Sequence, residues 1–100
     1  MRVIALRSIR DFSLLHPRAA QALSAWTKEA RNTCWKTPQD IRQRYNSASF
    51  LGDNRVVFNI KGNEFRLVVA VAYRYESVYV KFIGTHAQYD AIDALTIEME

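Results

Sequence analysis

One hundred residues suffice for a single compact domain and leave no room for a second one, so we expect one domain over residues 1–100. Apolar residues make up 49% and charged residues 24% of the chain, which excludes a disordered protein, and the single cysteine excludes an internal disulfide. The formal charge of +4 favours a polyanionic partner.

The residue pattern also argues against membrane and metal-binding classes. Three arginines among the first ten residues interrupt the apolar positions there, unlike the core of a signal peptide, and no apolar run approaches the ~20 residues of a membrane span. Cys34, His16 and His86 lie far apart in sequence and no Cys-x-x-Cys occurs, so we expect no metal site and no cofactor. The predicted location is the cytoplasm, without membrane contact.

The N-terminal third predicts a short strand followed by helices. Arg2 to Leu6 has the pattern of a strand, and from Ile9 apolar residues recur at spacings of three and four, as on one helix face. These positions are Phe12, Leu15, Ala19, Ala22, Leu23 and Trp26. Pro17 predicts the first turn of a second helix, with His16 near its cap.

A third helix is predicted to begin after Thr37. Thr37 is the N-cap, Pro38 takes the first helical position, and Asp40 stands where a capping box places its acid. This helix should end near residues 45–47.

After Ser47 the apolar period changes to two, which predicts strands. Three strands are expected at residues 55–61, 64–73 and 78–83, joined by a two-residue turn at Gly62-Asn63 and a loop at residues 74–77. Residues 86–95 are predicted to form a short C-terminal helix, with Thr85 as its cap. Helices segregated from an antiparallel sheet define the α+β class.

The two hairpins predict which side chains share a face of the sheet. A turn at residues 62–63 sets Lys61 opposite Glu64 and aligns Val56, Phe58 and Ile60 with Val69, Leu67 and Phe65 as a core face. A four-residue second loop would set Tyr73 opposite Val78, Val71 opposite Val80 and Val69 opposite Phe82, again on the core face.

On the other face, this register brings polar residues to one end of the sheet. Asn59, Lys61, Arg66 and His86 converge there, with Lys81 further along the same face. Tyr89 follows His86 by one helical turn and is predicted to lean over the patch. Cationic side chains, an imidazole and a phenol would then share one surface.

Structural explanations remain open for the same residues. An antiparallel sheet often has one solvated face, and Lys61 with Glu64 can be an ordinary cross-strand pair. His86 can be a cap residue and Tyr89 a core aromatic with its hydroxyl in water. Trp26 and Trp35 are predicted to pack in the core rather than to stack on bases.

Four blocks of the sequence, in this order and spacing, closely resemble toxins of the HigB type. They are W-K-T-P-Q-D-I at 35–41, S-A-S-F-L-G-D-N-R-V-V-F-N-I-K-G-N at 47–63, R-L-V-V at 66–69 and G-T-H-A-Q-Y-D-A-I-D at 84–93. The resemblance implies a RelE-like fold, in which N-terminal helices pack on one face of an antiparallel sheet, a short helix ends the chain, and the active surface is the other face.

The resemblance further implies the toxin of a type II toxin–antitoxin system, a metal-independent endoribonuclease that enters the ribosome and cuts mRNA there. The expected partners are the ribosome, mRNA and a HigA-like helix-turn-helix antitoxin, through which alone the toxin would reach operator DNA. Lys61 and Arg66 match basic positions of RelE-like toxins. His86 stands where RelE has an arginine, and Tyr89 comes earlier than RelE's essential tyrosine, which leaves the acid and base open.

Cleavage through the 2′-hydroxyl of RNA needs a base, an acid and fixed positive charge. The catalytic candidates are Arg66, Lys61, His86 and Tyr89, and the RNA-binding candidates are Asn59, Lys81 and Arg74. Arg66 and Lys61 are expected to stabilise the scissile phosphate while His86 transfers a proton.

Two other functions compete with this one. One is a non-enzymatic poison on the same fold, like the ParE branch that traps DNA gyrase, which lacks a cluster of this kind. The other is a passive RNA-binding module, which would need base-stacking aromatics on the sheet face. Tyr79 is the only aromatic residue predicted there, so the second alternative is disfavoured.

Overall fold

A computed structural model of the chain describes residues 1–99. Over that range a short strand is followed by three helices, then by the remaining strands and a last short helix, as the sequence predicts. The helices are α1 (Leu6–Leu15), α2 (Pro17–Arg31), α3 (Pro38–Arg44) and α4 (His86–Asp90). The strands are β1 (Arg2–Ile4), β2 (Ser49–Phe50), β3 (Arg55–Ile60), β4 (Phe65–Ala72) and β5 (Ser77–Thr85).

The strands of the described residues form one sheet in the order β1-β5-β4-β3-β2. β2 to β5 pair antiparallel, as expected, but β1 runs parallel to β5 with Val3 opposite Val78. The expectation of an entirely antiparallel sheet is therefore wrong at this edge. Parallel neighbours need a long crossover connection, and the chain between β1 and β5 supplies it. The α+β class is confirmed.

The helical layer follows the predicted stripe with one exception. Pro17 begins α2 with His16 at its N-cap, and Leu23 and Trp26 are buried against the sheet. Leu15, placed on the buried face by the sequence pattern, is 78% exposed. α1 ends at this residue and α2 begins two residues later, so one continuous period does not run through both helices.

An aromatic cluster joins α2 to the sheet. The ring of Phe58 lies 5.3 Å from that of Trp26 and 6.1 Å from that of Trp35, measured between centroids. Tyr45 packs edge-on against Phe58 at 5.1 Å. The two tryptophans are 2% and 1% exposed, which confirms the prediction that they pack in the core. Both are therefore unavailable for stacking on bases.

The start of α3 follows from its capping residues. The Thr37 hydroxyl accepts from the Asp40 backbone amide, and the Asp40 carboxylate accepts from the Thr37 amide in return. Pro38 occupies the first turn, where a missing N–H costs nothing. The predicted capping box is confirmed.

The first hairpin has the predicted register. Ile60 pairs with Phe65 and Asn59 with Arg66. The ladder ends there, so Lys61 to Glu64 form a four-residue turn in which Lys61 and Gly62 adopt positive φ angles of 53° and 63°. Each of the two predicted strands therefore extends one residue too far into the turn.

The second hairpin differs from the prediction by two residues. Val71 pairs with Val78 and Val69 with Val80, because β4 ends at Ala72 and residues 73–75 coil into a 3₁₀ turn. A β-bulge then lies between Val68 and Val69, since Val68 pairs with Phe82. The extra residue in β5 turns Phe82 to the face opposite the core, where the sequence had not placed it.

The C-terminal helix is half as long as predicted, because α4 ends at Asp90 rather than near Leu95. The Asp93 side chain accepts from the Leu95 amide, and the Asp93 carbonyl accepts from the Ile97 amide. Such local bonds compete with helix continuation. The same segment is also bound by Arg55, whose guanidinium donates to the carbonyls of Ala94 and Ile97. Within residues 1–99, no helix is long and apolar enough to span a membrane.

Candidate functional site

The sheet face turned away from α1 and α2, called the outer face, carries the predicted cluster at one end. This is where β3 ends, β4 begins and β5 passes into α4. Asn59, Arg66 and Gly84 lie side by side across these strands, and Thr85 pairs with Phe65 one position away. The topology therefore brings Arg66 close to the start of α4, as the sequence predicted.

The rest of the outer face is less polar than predicted. Val57 and Val68 lie on it and are 3% and 0% exposed, although neither belongs to the main core. Phe82 lies on the same face beside Val68 because of the bulge. The segment that follows α4 returns over this face to Arg55. This segment therefore covers the face near Arg55 and leaves the end at Arg66 and His86 open.

Arg66 is the central cation of the open end. Its guanidinium donates to the carbonyls of Asn63 and Phe65, each at 3.2 Å, and lies 5.9 Å from the centre of the Tyr89 ring. Among residues 1–99 no carboxylate forms a salt bridge with it. Both of these bonds come from one nitrogen of the guanidinium, so its other N–H groups remain available. Arginine can bind a phosphate through two such N–H groups at once.

His86 is held at its backbone and at its ring. The Thr85 hydroxyl caps α4, and the His86 amide donates to the Glu64 carbonyl at 3.0 Å. The Nδ1 atom of His86 lies 3.0 Å from an Asp90 carboxylate oxygen. Asp90 was not among the predicted site residues. The spacing of four from His86 within a predicted helix is the signal that identifies it.

Tyr89 is supported from beneath by Phe82. The centres of the two rings lie 6.5 Å apart, and Tyr89 is half-buried. Gly84 makes this packing possible, because a Cβ at that position would lie 2.5 Å from the Phe82 ring and 2.8 Å from the Gln88 side-chain oxygen. The absence of a side chain at Gly84 therefore leaves room for the Phe82 ring and the Gln88 side chain.

Lys61 and Asn59 lie at the edge of the site, beside a recess of about 200 Å³. Glu29, Arg44 and Tyr45 line the same recess, and Arg44 forms a salt bridge with Glu29 at 2.5 Å. Burial, together with the neighbouring Glu29 carboxylate, raises the pKa of Tyr45. Lys61 is exposed in the turn, where its backbone has a positive φ.

Glu64 does not pair with Lys61 across the hairpin. Two nitrogens of Arg18 on α2 bind its carboxylate, at 2.7 and 3.1 Å, and this contact lowers the pKa of Glu64. The Glu64 carboxylate is therefore drawn to the helical layer, and Lys61 forms no salt bridge among the described residues.

Two predicted RNA-binding residues lie outside the cluster. Lys81 sits at the bulge and binds the Glu98 carboxylate at 2.7 Å. The Lys81 ammonium is the main cause that lowers the pKa of Glu98. Arg74 lies in the turn after β4, at the opposite end of that strand from Arg66, and its guanidinium lies 6.0 Å from the Tyr75 ring.

Arg55 is a buried cation that the sequence reasoning missed. Its side chain is 7% exposed and binds the carbonyls of Ala94 and Ile97 and the Glu98 carboxylate. Its position at the end of an apolar strand gave no signal, because its partners are about 40 residues away in sequence. Arg55 anchors the C-terminal segment.

A helical layer on one face of the sheet, and a cationic end of the other face beside a short C-terminal helix, define a RelE-like toxin fold. Residues 19–92 match the HigB toxin family, the RelE-like toxic component of a toxin–antitoxin system. The chain belongs to this family.

Characterised relatives align over nearly the whole chain. The mRNA interferase toxin HigB of Escherichia coli (strain K12) is 26% identical over 97 residues, which cover 95% of this chain and 93% of the relative. The mRNA interferase HigB of Shigella flexneri matches to the same extent. The mRNA interferase HigB of Escherichia coli O6:H1 is 26% identical over 94 residues, or 92% of this chain and 91% of the relative.

Proposed function

We propose that this chain is an mRNA interferase, an endoribonuclease that cuts mRNA on the ribosome. The observation that carries the proposal is the open end of the outer face, where Arg66, His86 and Tyr89 meet with no acid bound to the arginine among residues 1–99. The relatives described above are named mRNA interferases, which agrees with the proposal.

The proposed reaction uses the ribose 2′-hydroxyl, which distinguishes RNA from DNA, as its nucleophile. The hydroxyl loses its proton to a base, its oxygen bonds to the adjacent phosphorus, and the 5′-oxygen leaves and takes up a proton. The products are a 2′,3′-cyclic phosphate and a 5′-hydroxyl end. This route needs no metal ion, because the nucleophile belongs to the substrate.

Arg66 and Lys61 supply the positive charge in this proposal. Arg66 grips the scissile phosphate, and Lys61 reaches it from the exposed turn as a mobile point charge. Preorganised cations act where negative charge develops in the transition state, and one such group typically contributes ~10²–10³-fold.

His86 transfers a proton, a step typically worth ~10²–10⁴-fold. Tyr89 stacks on or hydrogen-bonds a nucleotide next to the scissile bond, supported by Phe82 beneath it. Asn59 orients the ribose or phosphate; in the free protein its amide donates to the Ser47 carbonyl at 3.2 Å.

Lys81 and Arg74 take outer roles. Lys81 exchanges the Glu98 carboxylate for a backbone phosphate, while Glu98 keeps its contact with Arg55. Arg74 contacts RNA only outside the cleavage site, because it lies at the far end of β4.

The cellular partners in this proposal are the ribosome, mRNA and a cognate HigA-like helix-turn-helix antitoxin, and operator DNA is reached only through that antitoxin. The protein acts in the cytoplasm, where translating ribosomes are found. Membership of a toxin family supports the antitoxin partner.

The test is induction in growing bacteria, followed by mapping of mRNA 5′ ends, with His86→Ala as the paired variant. New 5′ ends within translated codons, absent from the variant and from naked RNA, are the expected result. Growth arrest without cleavage would refute the proposal, and double-strand DNA breaks would then indicate a gyrase poison.

A further inference from the structure

The structure offers a partner for His86 that decides which of its nitrogens carries a proton. Nδ1 lies 3.0 Å from the Asp90 carboxylate, and no hydrogen bond to Nε2 is formed by the described residues. A carboxylate has no proton to donate and would repel a bare nitrogen lone pair 3.0 Å away, so the contact favours a proton on Nδ1. In the neutral ring the other nitrogen, Nε2, then holds a lone pair.

We infer that Asp90 is a positioning residue that fixes the Nδ1–H tautomer of His86 and so makes Nε2 the general base. The inference rests on the proposed function and goes further, because it names the base. Nε2 accepts the 2′-hydroxyl proton while the 2′-oxygen bonds to phosphorus. The leaving 5′-oxygen takes a proton from water, and His86 returns its proton to solvent.

The local structure holds the pair together from both ends. The capping box between Thr85 and Gln88 fixes the first turn of α4, so residues four apart lie on one face of the helix. The bond from the His86 amide to the Glu64 carbonyl ties that turn to the β3–β4 hairpin. The backbone of His86 is therefore fixed, and the contact with Asp90 restricts rotation of the imidazole about its two side-chain bonds.

Charged groups on the neighbouring elements leave Asp90 as the acceptor for this ring. Glu64, in the adjacent turn, is bound by Arg18. Arg66, on β4, is a cation with its ring contact to Tyr89. Asp90 is therefore the described carboxylate in contact with the His86 ring.

The effect should be moderate, because both side chains are half-exposed, at 50% for His86 and 61% for Asp90. Loss of the orienting acid in a buried Ser-His-Asp triad costs ~10⁴-fold. Water can replace an exposed carboxylate in part, so we expect about a tenfold loss of cleavage rate in Asp90→Ala, with RNA binding unchanged.

The decisive measurement is the ¹⁵N NMR spectrum of the imidazole rings at a pH where they are neutral. The chain has two histidines, so a His16→Gln variant assigns both. His16 stacks on Phe12 at 4.3 Å and serves as the internal reference. Wild type should show the His86 proton on Nδ1, and Asp90→Ala should show it on Nε2.

Two further variants separate the acceptor from the charge. Asp90→Asn keeps an acceptor oxygen and should retain the tautomer and most of the cleavage rate. Asp11→Ala removes an exposed carboxylate on α1 and should change neither. Cleavage is measured in single turnover on programmed ribosomes.

The outcomes distinguish this inference from the proposed function. A proton that stays on Nδ1 in Asp90→Ala, or an unchanged cleavage rate after it moves, would overturn the role of Asp90 alone. A wild-type protein that cuts no mRNA would instead refute the proposed function, whatever the spectrum shows.

Discussion

Replacing Arg55 by methionine should destabilise the protein substantially, because this cation is buried and its acceptors are main-chain carbonyls. Its side chain is 7% exposed and donates to Ala94 at 3.1 Å and to Ile97 at 2.7 Å. Hydrogen bonds involving a charged group contribute about 1.5–3 kcal/mol each. A buried methionine recovers about 1.5–3 kcal/mol of apolar burial, so the two lost bonds leave a net loss of about 1.5–3 kcal/mol.

Thermal unfolding followed by circular dichroism measures this loss. For a domain of this size, 1 kcal/mol corresponds to roughly 4–8 °C in Tm, so Arg55→Met should melt about 6–24 °C below the wild type. Amide hydrogen exchange should also become faster in residues 91–99, which Arg55 holds against the outer face.

Glu98→Gln is the matched control. It removes the exposed carboxylate that Arg55 also binds but leaves both carbonyl bonds in place. The Glu98 side chain is 58% exposed, so water screens its pairing with Arg55 and this variant should melt close to the wild type. If Glu98→Gln were as destabilising as Arg55→Met, the anchoring would come from the ion pair, and the reasoning from buried carbonyls would be refuted.

Four other changes have defined outcomes. Arg66→Ala should lower the single-turnover cleavage rate about 10²–10³-fold, with Arg66→Lys intermediate, and a variant that stays fully toxic in growing cells would remove Arg66 from the site. Trp35→Ala, at a position 1% exposed, should cost about 3–5 kcal/mol in denaturant unfolding; a loss below 1 kcal/mol would contradict its core position. Gly84→Ala should cost about 1–3 kcal/mol and reduce cleavage, because the new Cβ forces Phe82 away, whereas unchanged kinetics would show that the ring moves freely. Lys81 lowers the folded-state pKa of Glu98 below 4.5, so the contribution of Glu98 is present above pH 4.5 and is lost as the pH falls through the lower folded value; hydrogen exchange of residues 91–99 should accelerate there, and not in Glu98→Gln.

Local patterns in the sequence determined most of the elements. The capping box at Thr37, the helix start at Pro17 and the first hairpin register all depend on residues within a few positions of one another. Because the hairpin turn is tight, its register follows from local chemistry, and with it the placing of Asn59 beside Arg66. The family blocks in the sequence likewise indicated a RelE-like toxin before any fold was known.

The second hairpin register was beyond the sequence pattern. The 3₁₀ turn at residues 73–75 and the bulge beside Lys81 each shift the pairing of β4 with β5. Neither changes the alternation of apolar residues in the sequence. Phe82 could not be assigned to the outer face for that reason. Its position under Tyr89 depends on the bulge.

The tertiary structure alone decided which charges are available at the site. The pairing of Arg18 with Glu64, and of Arg55 and Lys81 with Glu98, joins residues 17 to 46 positions apart, and no local pattern reports such contacts. The proximity of Arg66 and His86 was predictable, because the pairing of β3, β4 and β5 brings both residues to one end of the sheet. The sequence by itself therefore determined the fold class and the catalytic candidates, and packing of distant segments decided which of those side chains are bound by a carboxylate.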